Sequence, residues 1–308
     1  MQTETFKMVS EIDRLGLGVL LCSPQQEPVG VLQIAHGMSE HKERYLPFME
    51  YMCERGYACV IHDHRGHGES VRCLQDLGYF YENGTLGIVE DVGQVNRWMR
   101  GKYPNKPYFL LGHSMGSLVV RAYLKQHDST IDGLIVSGSP SATSASKLGI
   151  ALSAVLKKRY GDHYIPNRYN RIAFGSFNKK FRPAPSQYAW LCSDPDVVRQ
   201  FDDDPLCGFA FTLNGFQTLF HLMEQVYSRK GWTVTNPDLP VWFLSGELDP
   251  CMLSRLKFLQ AVDLIHKVGY ENVSAKLYPG MRHETLNEPG HMQVFEDIAK
   301  RVESWRKN

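Results

Sequence analysis

The sequence has no long apolar run and almost no excess of charge of either sign. No window of about 18 uninterrupted apolar residues occurs, which argues against a transmembrane helix, and the first residues lack the basic and then apolar order of a secretory signal. The 34 Lys and Arg against 33 Asp and Glu give a formal net charge of +1. So small a charge supplies no field that would hold nucleic acid. We therefore expect a cytoplasmic protein with no nucleic-acid partner.

The C-x-x-C spacing is also missing among the seven cysteines. An odd number of cysteines, most of them among apolar neighbours, is typical of buried reduced thiols and not of a disulfide framework or a zinc knuckle. One segment, His62-Asp63-His64-Arg65-Gly66-His67, does have a spacing that could place imidazoles on a zinc ion. Gly66 stands where an aspartate for a second metal would be needed. We favour a tight turn after a strand, and we expect no metal and no organic cofactor.

The composition is that of an ordinary folded protein, with 43% hydrophobic and 22% charged residues among 308. Short apolar runs alternate with helical patterns, which indicates a mostly parallel sheet with helices on both faces. The fold class is therefore α/β, and we expect about eight strands in this sheet. The predicted strands cover residues 29–35, 57–61, 108–111, 134–136, 241–244 and 273–278, and the predicted helices 45–55, 86–100, 115–126, 254–268 and 289–305.

Residues 141–237 break this alternation, because they contain helical stripes, prolines and aromatics but no apolar run typical of a strand. We interpret them as a helical cap over the carboxyl ends of the strands, with the core domain formed by 1–140 and 238–308. Two apolar stripes lie in the cap, at 148–156 and 209–226. Such stripes usually pack against a core, so we expect both to hold the cap on the core domain. The basic run 157–159 is expected to be a solvated face.

The pentapeptide Gly112-His113-Ser114-Met115-Gly116 directly follows a predicted strand and precedes a predicted helix. This G-x-S-x-G pattern is typical of a sharp strand-to-helix turn that lifts a serine hydroxyl clear of the sheet. Small residues on both sides of the serine allow the turn. We therefore predict that Ser114 is a nucleophile.

A serine hydroxyl near neutral pH needs a base, and the base needs an acid to orient it. Hydrolases with this type of turn carry the three residues in the order serine, acid, histidine, on loops after successive strands. Asp249 and His283 follow the predicted strands 241–244 and 273–278 and fit both positions. Glu247 on the same loop is an alternative acid. His291 is an alternative base, although its place after Pro289 predicts a position inside the last helix.

The oxyanion that forms during acyl transfer needs two backbone N–H donors. Met115, directly after the nucleophile, supplies one at the start of a helix. The other is expected in the loop after an earlier strand, where Gly37 lets the backbone approach closely and Met38 is the candidate donor. The alternative for this loop is an ordinary turn with His36 hydrogen-bonded inside the protein.

Three segments together are similar to the monoacylglycerol lipase and lysophospholipase group of α/β-hydrolases, which is also classed with serine aminopeptidases. They are the segment from His36 to His41 with Arg44-Tyr45, the segment from Asp63 to Ser70, and the segment from Gly112 to Gly116. The likeness spans roughly residues 29–139 and 240 to the end. Within this group the D-x-R-G-x-G-x-S pattern accounts for the histidine-rich segment without a metal.

The resemblance implies an α/β-hydrolase fold with a cap that admits an acyl chain and contacts membrane surfaces transiently. It also implies the triad Ser114, Asp249 and His283, the oxyanion donors Met38 and Met115, and a small acyl ester as the molecule bound. The sequence makes no prediction of oligomeric state. Candidate contacts to the substrate are His36, Gly37, Leu152, Phe209, Phe216 and Phe220.

The function predicted on these grounds is hydrolysis of carboxylic esters, with monoacylglycerols or lysophospholipid-like esters as substrates. A small-ester esterase and a serine aminopeptidase are alternatives, because the same triad also cleaves amides. A peptidase would need carboxylates in the cap to hold the substrate amine, and Asp202-Asp203-Asp204 is the obvious set. A third alternative is a catalytically silent receptor of the same fold.

Overall fold

The computed structural model describes residues 1–166, 169, 177–184 and 186–307. Its centre is an eight-stranded sheet with the order β1-β2-β4-β3-β5-β6-β7-β8. The strands from β3 to β8 are parallel to one another, whereas β1 and β2 pair antiparallel at one edge. The strands are β1 (Gln2–Val9), β2 (Gly16–Ser23), β3 (Gly30–Ala35), β4 (Tyr57–His62), β5 (Tyr108–His113), β6 (Gly133–Ser137), β7 (Val241–Gly246) and β8 (Val273–Tyr278).

Helices cover both faces of this sheet, as the alternating sequence pattern predicts. The side chains of β5 show why: Leu110 belongs to the apolar cluster on one face of the sheet, and its neighbour Leu111 belongs to the cluster on the other face. Successive residues of a strand point to opposite faces, so a strand that is apolar throughout requires cover on both sides. The core helices are α1 (Leu46–Cys53), α2 (Gly84–Lys102), α3 (Met115–His127), α7 (Arg255–Lys267) and α8 (His291–Lys307).

All six predicted strands are present as β3 to β8, each within two residues of its predicted ends. The sequence reasoning missed β1 and β2. Most side chains of β1 are exposed, so it carries no apolar run of the kind that marks a buried strand. Strand β2, in contrast, is buried and carries an apolar run from Val19 to Cys22, so the sequence did contain a signal for it. The mostly parallel α/β sheet that was expected is confirmed.

The described part of the cap contains the helices α4 (Ala145–Tyr160), α5 (Pro195–Asp203) and α6 (Leu213–Tyr227) and no strand. Residues 167, 168, 170–176 and 185 of the predicted cap lie outside the described residues. Helix α6 begins after Thr212, whose side chain accepts the N–H of Gly215, as an N-terminal cap should. The boundaries of the cap at 141 and 237 stay a prediction.

The expectation that both cap stripes pack on the core is correct only for the second. In α6 the side chains of Phe216 and Val226 are fully buried, and both belong to the core cluster under α2 and α3. In α4, Leu148 is 70% exposed and Val155 is 65% exposed. Helix α4 lies on the outside of α6, so its apolar stripe has a solvent-facing part that the sequence pattern alone does not distinguish from a buried one.

Among the described residues, no helix combines the length and the apolar character that crossing a bilayer would require.

The histidine-rich segment forms the tight turn that was favoured over a metal site. Asp63 holds this turn, since its carboxylate accepts the backbone N–H groups of Lys42 and Glu69 at 2.8 and 2.9 Å and pairs with the Lys42 ammonium. Gly68 has φ +46°, and a Cβ there would lie 2.3 Å from the Asp63 carboxyl carbon. Arg65 is buried and pairs with Asp91. Two buried ion pairs, Asp63 with Lys42 and Arg65 with Asp91, therefore stabilise the turn.

Four imidazoles are fully buried around this turn, His36, His62, His64 and His67, with ring centroids as close as 4.4 Å. Burial lowers the pKa of His36 and of His62 to about 3. In the unfolded chain the pKa of histidine is about 6.5. Between these values the unfolded state binds protons that the folded state does not, so stability falls as the pH falls.

We expect the free energy of unfolding to decrease by about 1.4 kcal/mol per pH unit for each such histidine as the pH falls below about 6.5. His62→Leu should reduce this slope, because it removes one of these titrating groups. The substitution breaks no hydrogen bond, since neither ring nitrogen of His62 has a hydrogen-bond partner among the described residues. Urea unfolding at about pH 7 and about pH 5 measures both effects. Substitution of the exposed His163 by leucine is the control and should keep the wild-type slope. An unchanged slope in His62→Leu would contradict the prediction.

Candidate active site

The predicted nucleophile lies at the junction of β5 and α3. Ser114 has φ 52° and ψ −119°, a conformation that non-glycine residues rarely adopt and that surrounding structure must enforce. Its N–H donates to the carbonyl oxygen of Ser137 on β6 at 2.9 Å, and its own carbonyl accepts the hydroxyl of Ser117 at 2.5 Å. Ser114 is partly exposed, whereas His113 and Met115 are buried. The turn thus presents this one side chain to the space above the sheet.

The two glycines of the pentapeptide are required by close contacts. A Cβ on Gly112 would lie 2.4 Å from the carbonyl oxygen of Gly116, and a Cβ on Gly116 would lie 2.1 Å from that of Ala35 on β3. Side chains at either place would push α3 away from the sheet. The sequence argument for small residues on both sides of the serine is therefore matched by the contacts found.

The predicted acid and base form a buried pair on the loops after β7 and β8. Asp249 Oδ1 lies 2.9 Å from His283 Nδ1. The carboxylate also accepts the hydroxyl of Ser245 and the N–H of Cys251, each at 2.8 Å. Burial opposes the imidazolium, but the charge of Asp249 outweighs it and raises the pKa of His283 well above its ordinary value. His283 and Ser114 line the same cavity.

Neither alternative residue is placed to act in this pair. Glu247 is exposed on the loop before Asp249. His291 is the first residue of α8, as its position after Pro289 predicted, and its Nδ1 is 2.7 Å from the carbonyl oxygen of Glu288. Neither of them lines the cavity that contains Ser114.

The loop after β3 places backbone amides beside the serine. A Cβ on Gly37 would lie 3.2 Å from the Ser114 Cβ, so this loop passes directly over the nucleophile. Gly37 donates its N–H to Glu40 Oε1 at 2.5 Å. Among the described residues, neither Met38 N–H nor Met115 N–H donates to a protein acceptor. Both amides are therefore free to bind an oxyanion.

His36 has the internal role that was the alternative for it. It is fully buried, its Nδ1 lies 2.8 Å from the Gly37 carbonyl oxygen, and its Nε2 accepts the N–H of His64 at 2.8 Å. Both ring nitrogens are thus occupied within the protein, and His36 does not line the cavity. We do not retain it as a contact to substrate.

Sequence reasoning missed a buried ion network that supports this loop. Arg44 donates to Glu40 Oε2 at 2.6 Å and binds both carboxylate oxygens of Glu284 at 2.8 and 2.6 Å. Burial raises the pKa of the Glu284 carboxyl, but the Arg44 guanidinium lowers it to about 2. Glu284 directly follows His283, so this network connects the oxyanion loop to the histidine loop. The available signal was the spacing of Glu40 and Arg44 in a motif already singled out.

A cavity of about 1270 Å³ lies between the core and the cap. Its cap side is formed by apolar side chains of α4, α6 and the segment before α6, and four of them were candidate substrate contacts: Leu152, Phe209, Phe216 and Phe220. Gly37 also lines it. Another part of the cap, between residues 177 and 191, lines the cavity with both polar side chains, such as Asn178 and Gln187, and apolar ones, such as Trp190 and Leu191. The cavity is thus mostly apolar on its cap side, and Ser114 faces the same space.

The acidic run considered for a peptidase lies elsewhere. Asp202 and Asp203 are exposed at the end of α5, and Asp204 pairs with His41. None of the three lines the cavity. The carboxylates that do line its described part belong to Glu40 and Glu284, and both are paired with Arg44.

The sheet order, the strained serine turn and the buried acid and histidine pair define the α/β-hydrolase class. A carboxyl esterase from Bacillus coagulans, solved in complex with glycerol, has the same fold: its TM-score is 0.91 at 24% identity, with 99% of each chain covered. Residues 26–290 match the family described as serine aminopeptidase, S33.

Two curated relatives cover almost the whole chain. The monoacylglycerol lipase of Mycolicibacterium smegmatis is 29% identical over 286 residues, covering 92% of this chain and 91% of that protein. The monoglyceride lipase homolog of monkeypox virus is 35% identical over 290 residues, with the same coverage. The chain therefore belongs to the serine aminopeptidase S33 family and, like these lipase relatives, it is an ester hydrolase.

Proposed function

We propose that the chain hydrolyses monoacylglycerols or lysophospholipid-like acyl esters through Ser114, His283 and Asp249. The observation that carries the proposal is the 2.9 Å pair of Asp249 and His283 in the cavity that contains the strained Ser114 turn. Removing the hydroxyl proton as the serine attacks gives the nucleophile that the reaction needs. The relatives named as monoacylglycerol lipases favour this substrate class over other esters.

In this mechanism Ser114 Oγ attacks the ester carbonyl carbon while the neutral imidazole of His283 accepts its proton at Nε2, so the enzyme reacts in the form in which His283 is deprotonated. The N–H groups of Met38 and Met115 bind the oxyanion of the tetrahedral intermediate. The intermediate then collapses, the C–O bond to the alcohol breaks, and His283 gives the proton to the departing oxygen. Water repeats the two steps on the acyl-enzyme and releases the carboxylic acid. Asp249 holds the imidazole and stabilises its charged form during both halves.

Ser114→Ala should remove nearly all turnover without unfolding the protein. The substitution removes only the attacking hydroxyl oxygen, and it leaves the packing around the turn unchanged. The measurement is hydrolysis of p-nitrophenyl esters from acetyl to palmitoyl and of 1-monoacylglycerol, together with labelling by a fluorophosphonate. Ser304→Ala, on the exposed face of α8, is the matched control with wild-type rates. Full activity of Ser114→Ala would refute the assignment, and activity confined to the shortest esters would favour a small-ester esterase.

The apolar wall of the cavity supports an acyl substrate over a peptide. A substrate amine would need an unpaired carboxylate to bind it. Among the described residues, the carboxylates that line the cavity belong to Glu40 and Glu284, and both are already paired with Arg44. An acyl chain needs only apolar surface, and α4 and α6 supply it through Leu152, Phe216 and Phe220. Burial of each methylene of the chain contributes about 0.8 kcal/mol. The apolar wall therefore favours longer chains.

Leu152→Trp should reduce kcat/KM for a long-chain ester relative to an acetyl ester by about tenfold, which corresponds to about 1.4 kcal/mol of lost chain binding. Leu152 is 43% exposed and lines the cavity, so a larger side chain fits there without disturbing the core. Lys147→Trp is the matched control, because Lys147 lies on the same helix, has an exposed side chain and does not line the cavity. Equal changes for both esters would show that the acyl chain does not lie along α4.

The exposed stripe of α4 supports the membrane contact that the family resemblance implies. Leu148 and Val155 are exposed by 70% and 65%, and Leu148 also lines the cavity. The last turn of the same helix carries the basic run 157–159. Apolar residues beside basic ones on one helix are typical of a segment that lies on a lipid surface. A lipid substrate would then enter the cavity beside α4.

Replacing Leu148 and Val155 together by serine should weaken binding to vesicles of phosphatidylcholine with phosphatidylserine, because the apolar contact with the acyl region is lost. Co-sedimentation with the vesicles measures the bound fraction. Hydrolysis of a dissolved short-chain ester is the control and should be retained. Vesicle binding equal to wild type would exclude α4 as the contact.

A further inference from the structure

A group of side chains outside the active site joins the core to the cap. His41 ends the loop that carries Met38, and Asp204 and Cys207 lie in the cap segment between α5 and α6. One nitrogen, one oxygen and one sulfur atom of these three residues all lie within 4.8 Å of one another. Two hydrogen bonds hold the segments together beside them: Gly208 N–H to the Ser39 carbonyl at 2.9 Å and the Ser39 hydroxyl to the Phe209 carbonyl at 2.7 Å.

The imidazole of His41 is oriented from both sides. Its Nε2 lies 2.8 Å from Asp204 Oδ2, and its Nδ1 lies 2.6 Å from Glu43 Oε2. A histidine that binds a metal almost always donates its other ring N–H to a carboxylate or a carbonyl, which fixes the tautomer and the ring. Glu43 is placed to do this for His41. The arrangement leaves Nε2 directed toward Asp204 and Cys207.

We propose that His41, Asp204 and Cys207 form a binding site for a zinc-type divalent metal ion that joins the cap to the core. Nitrogen, carboxylate and thiolate ligands together are the donor set of zinc, whereas calcium and magnesium take oxygen ligands. Tetrahedral zinc would hold the three atoms about 3.3 to 3.7 Å apart, so His41 Nε2 and Asp204 Oδ2 need to separate only slightly. Asp204 has a side chain exposed by 30%, which gives the ion and a fourth ligand from solvent a path in.

The charges around the site fit a cation that replaces protons. The positive neighbours are already compensated, since Lys42 pairs with Asp63 and Arg44 pairs with Glu284. Binding would release one proton from His41 and one from Cys207 to solvent, leaving imidazole, thiolate and carboxylate around the ion. The titratable and charged groups that face His41 or Cys207 from the packed elements are His36, Glu40, Lys42, Glu43, Arg44, Tyr188 and Asp204.

Among the described residues, the same kind of geometry also occurs at Asp249, Cys251 and His283, whose ligand atoms lie within 4.8 Å of one another. That group belongs to the catalytic site, and Cys251 Sγ lies 3.9 Å from His283 Nε2. We do not propose it as a metal site. It provides the matched control, because each group contains one cysteine that can be replaced by serine.

Titration of the full chain with Co²⁺ tests the site without any use of enzymatic activity. We expect a thiolate-to-cobalt charge-transfer band in the near ultraviolet that Zn²⁺ removes by displacing Co²⁺. The band should be absent in Cys207→Ser, reduced in Asp204→Asn and unchanged in Cys251→Ser. No band in the wild type, a band that persists in Cys207→Ser, or one lost only in Cys251→Ser would overturn the proposal.

A second measurement covers the case in which the variants are less stable. Zn²⁺ should raise the Tm of the wild type, because it binds the folded state alone, and it should leave the Tm of Cys207→Ser unchanged even if that Tm starts lower. Competition with a chromogenic chelator gives the dissociation constants for Zn²⁺. The wild type should bind Zn²⁺ more tightly than Cys207→Ser, and equal dissociation constants would overturn the proposal.

Discussion

The site depends on one strained residue at the end of the central strand. Ser114 has a backbone conformation that costs on the order of 1–3 kcal/mol. The conformation persists because α3 packs closely against β5 and β3 around this residue. Gly112 and Gly116 permit that contact, since a Cβ on either would meet backbone within 2.4 Å. The same contact sets the direction of α3, whose first N–H groups point toward the space above the serine. The proposed nucleophile Ser114 and the proposed oxyanion donor Met115 are thus positioned by a single packing constraint.

A buried ion network positions the remaining parts relative to that serine. Arg44 binds Glu40 in the oxyanion loop and Glu284 beside His283. Loops after β3 and β8 are far apart in sequence, and a shared guanidinium ties them at hydrogen-bond distances. Removing one member of such a buried network leaves an uncompensated charge. The Ser114 turn therefore positions the proposed nucleophile, and Arg44 holds the loop that carries the proposed base His283 against the loop after β3.

The sequence predicted the fold and the central residues because both leave local signals. Buried parallel strands are continuous apolar runs, and the serine turn requires glycines at fixed positions, so β3 to β8 and Ser114 could be located. Strand β2 was missed although its buried apolar run is a signal of the same kind. For the other misses, signals were absent because an element is half exposed or a contact joins residues far apart in the sequence. Strand β1 alternates on an open edge, α4 carries leucines that face solvent, and the pairing of Arg44 with Glu284 joins positions 240 residues apart. His36 was misjudged because a turn histidine looks the same whether it faces the cavity or the interior.

The loop from Gly37 to His41 connects the surroundings of Ser114 to the cap. Its first part passes over Ser114 and offers the Met38 N–H, while its last residue meets Asp204 in the cap, and Ser39 between them is bonded to Gly208 and Phe209. Phe209 lines the cavity, so a displacement of the cap segment would move a cavity wall and strain the oxyanion loop together. The proposed acyl-chain site in the cap and the proposed oxyanion donor Met38 are therefore joined through the five residues from Gly37 to His41. An ion bound at the proposed site between His41, Asp204 and Cys207 would act on that connection.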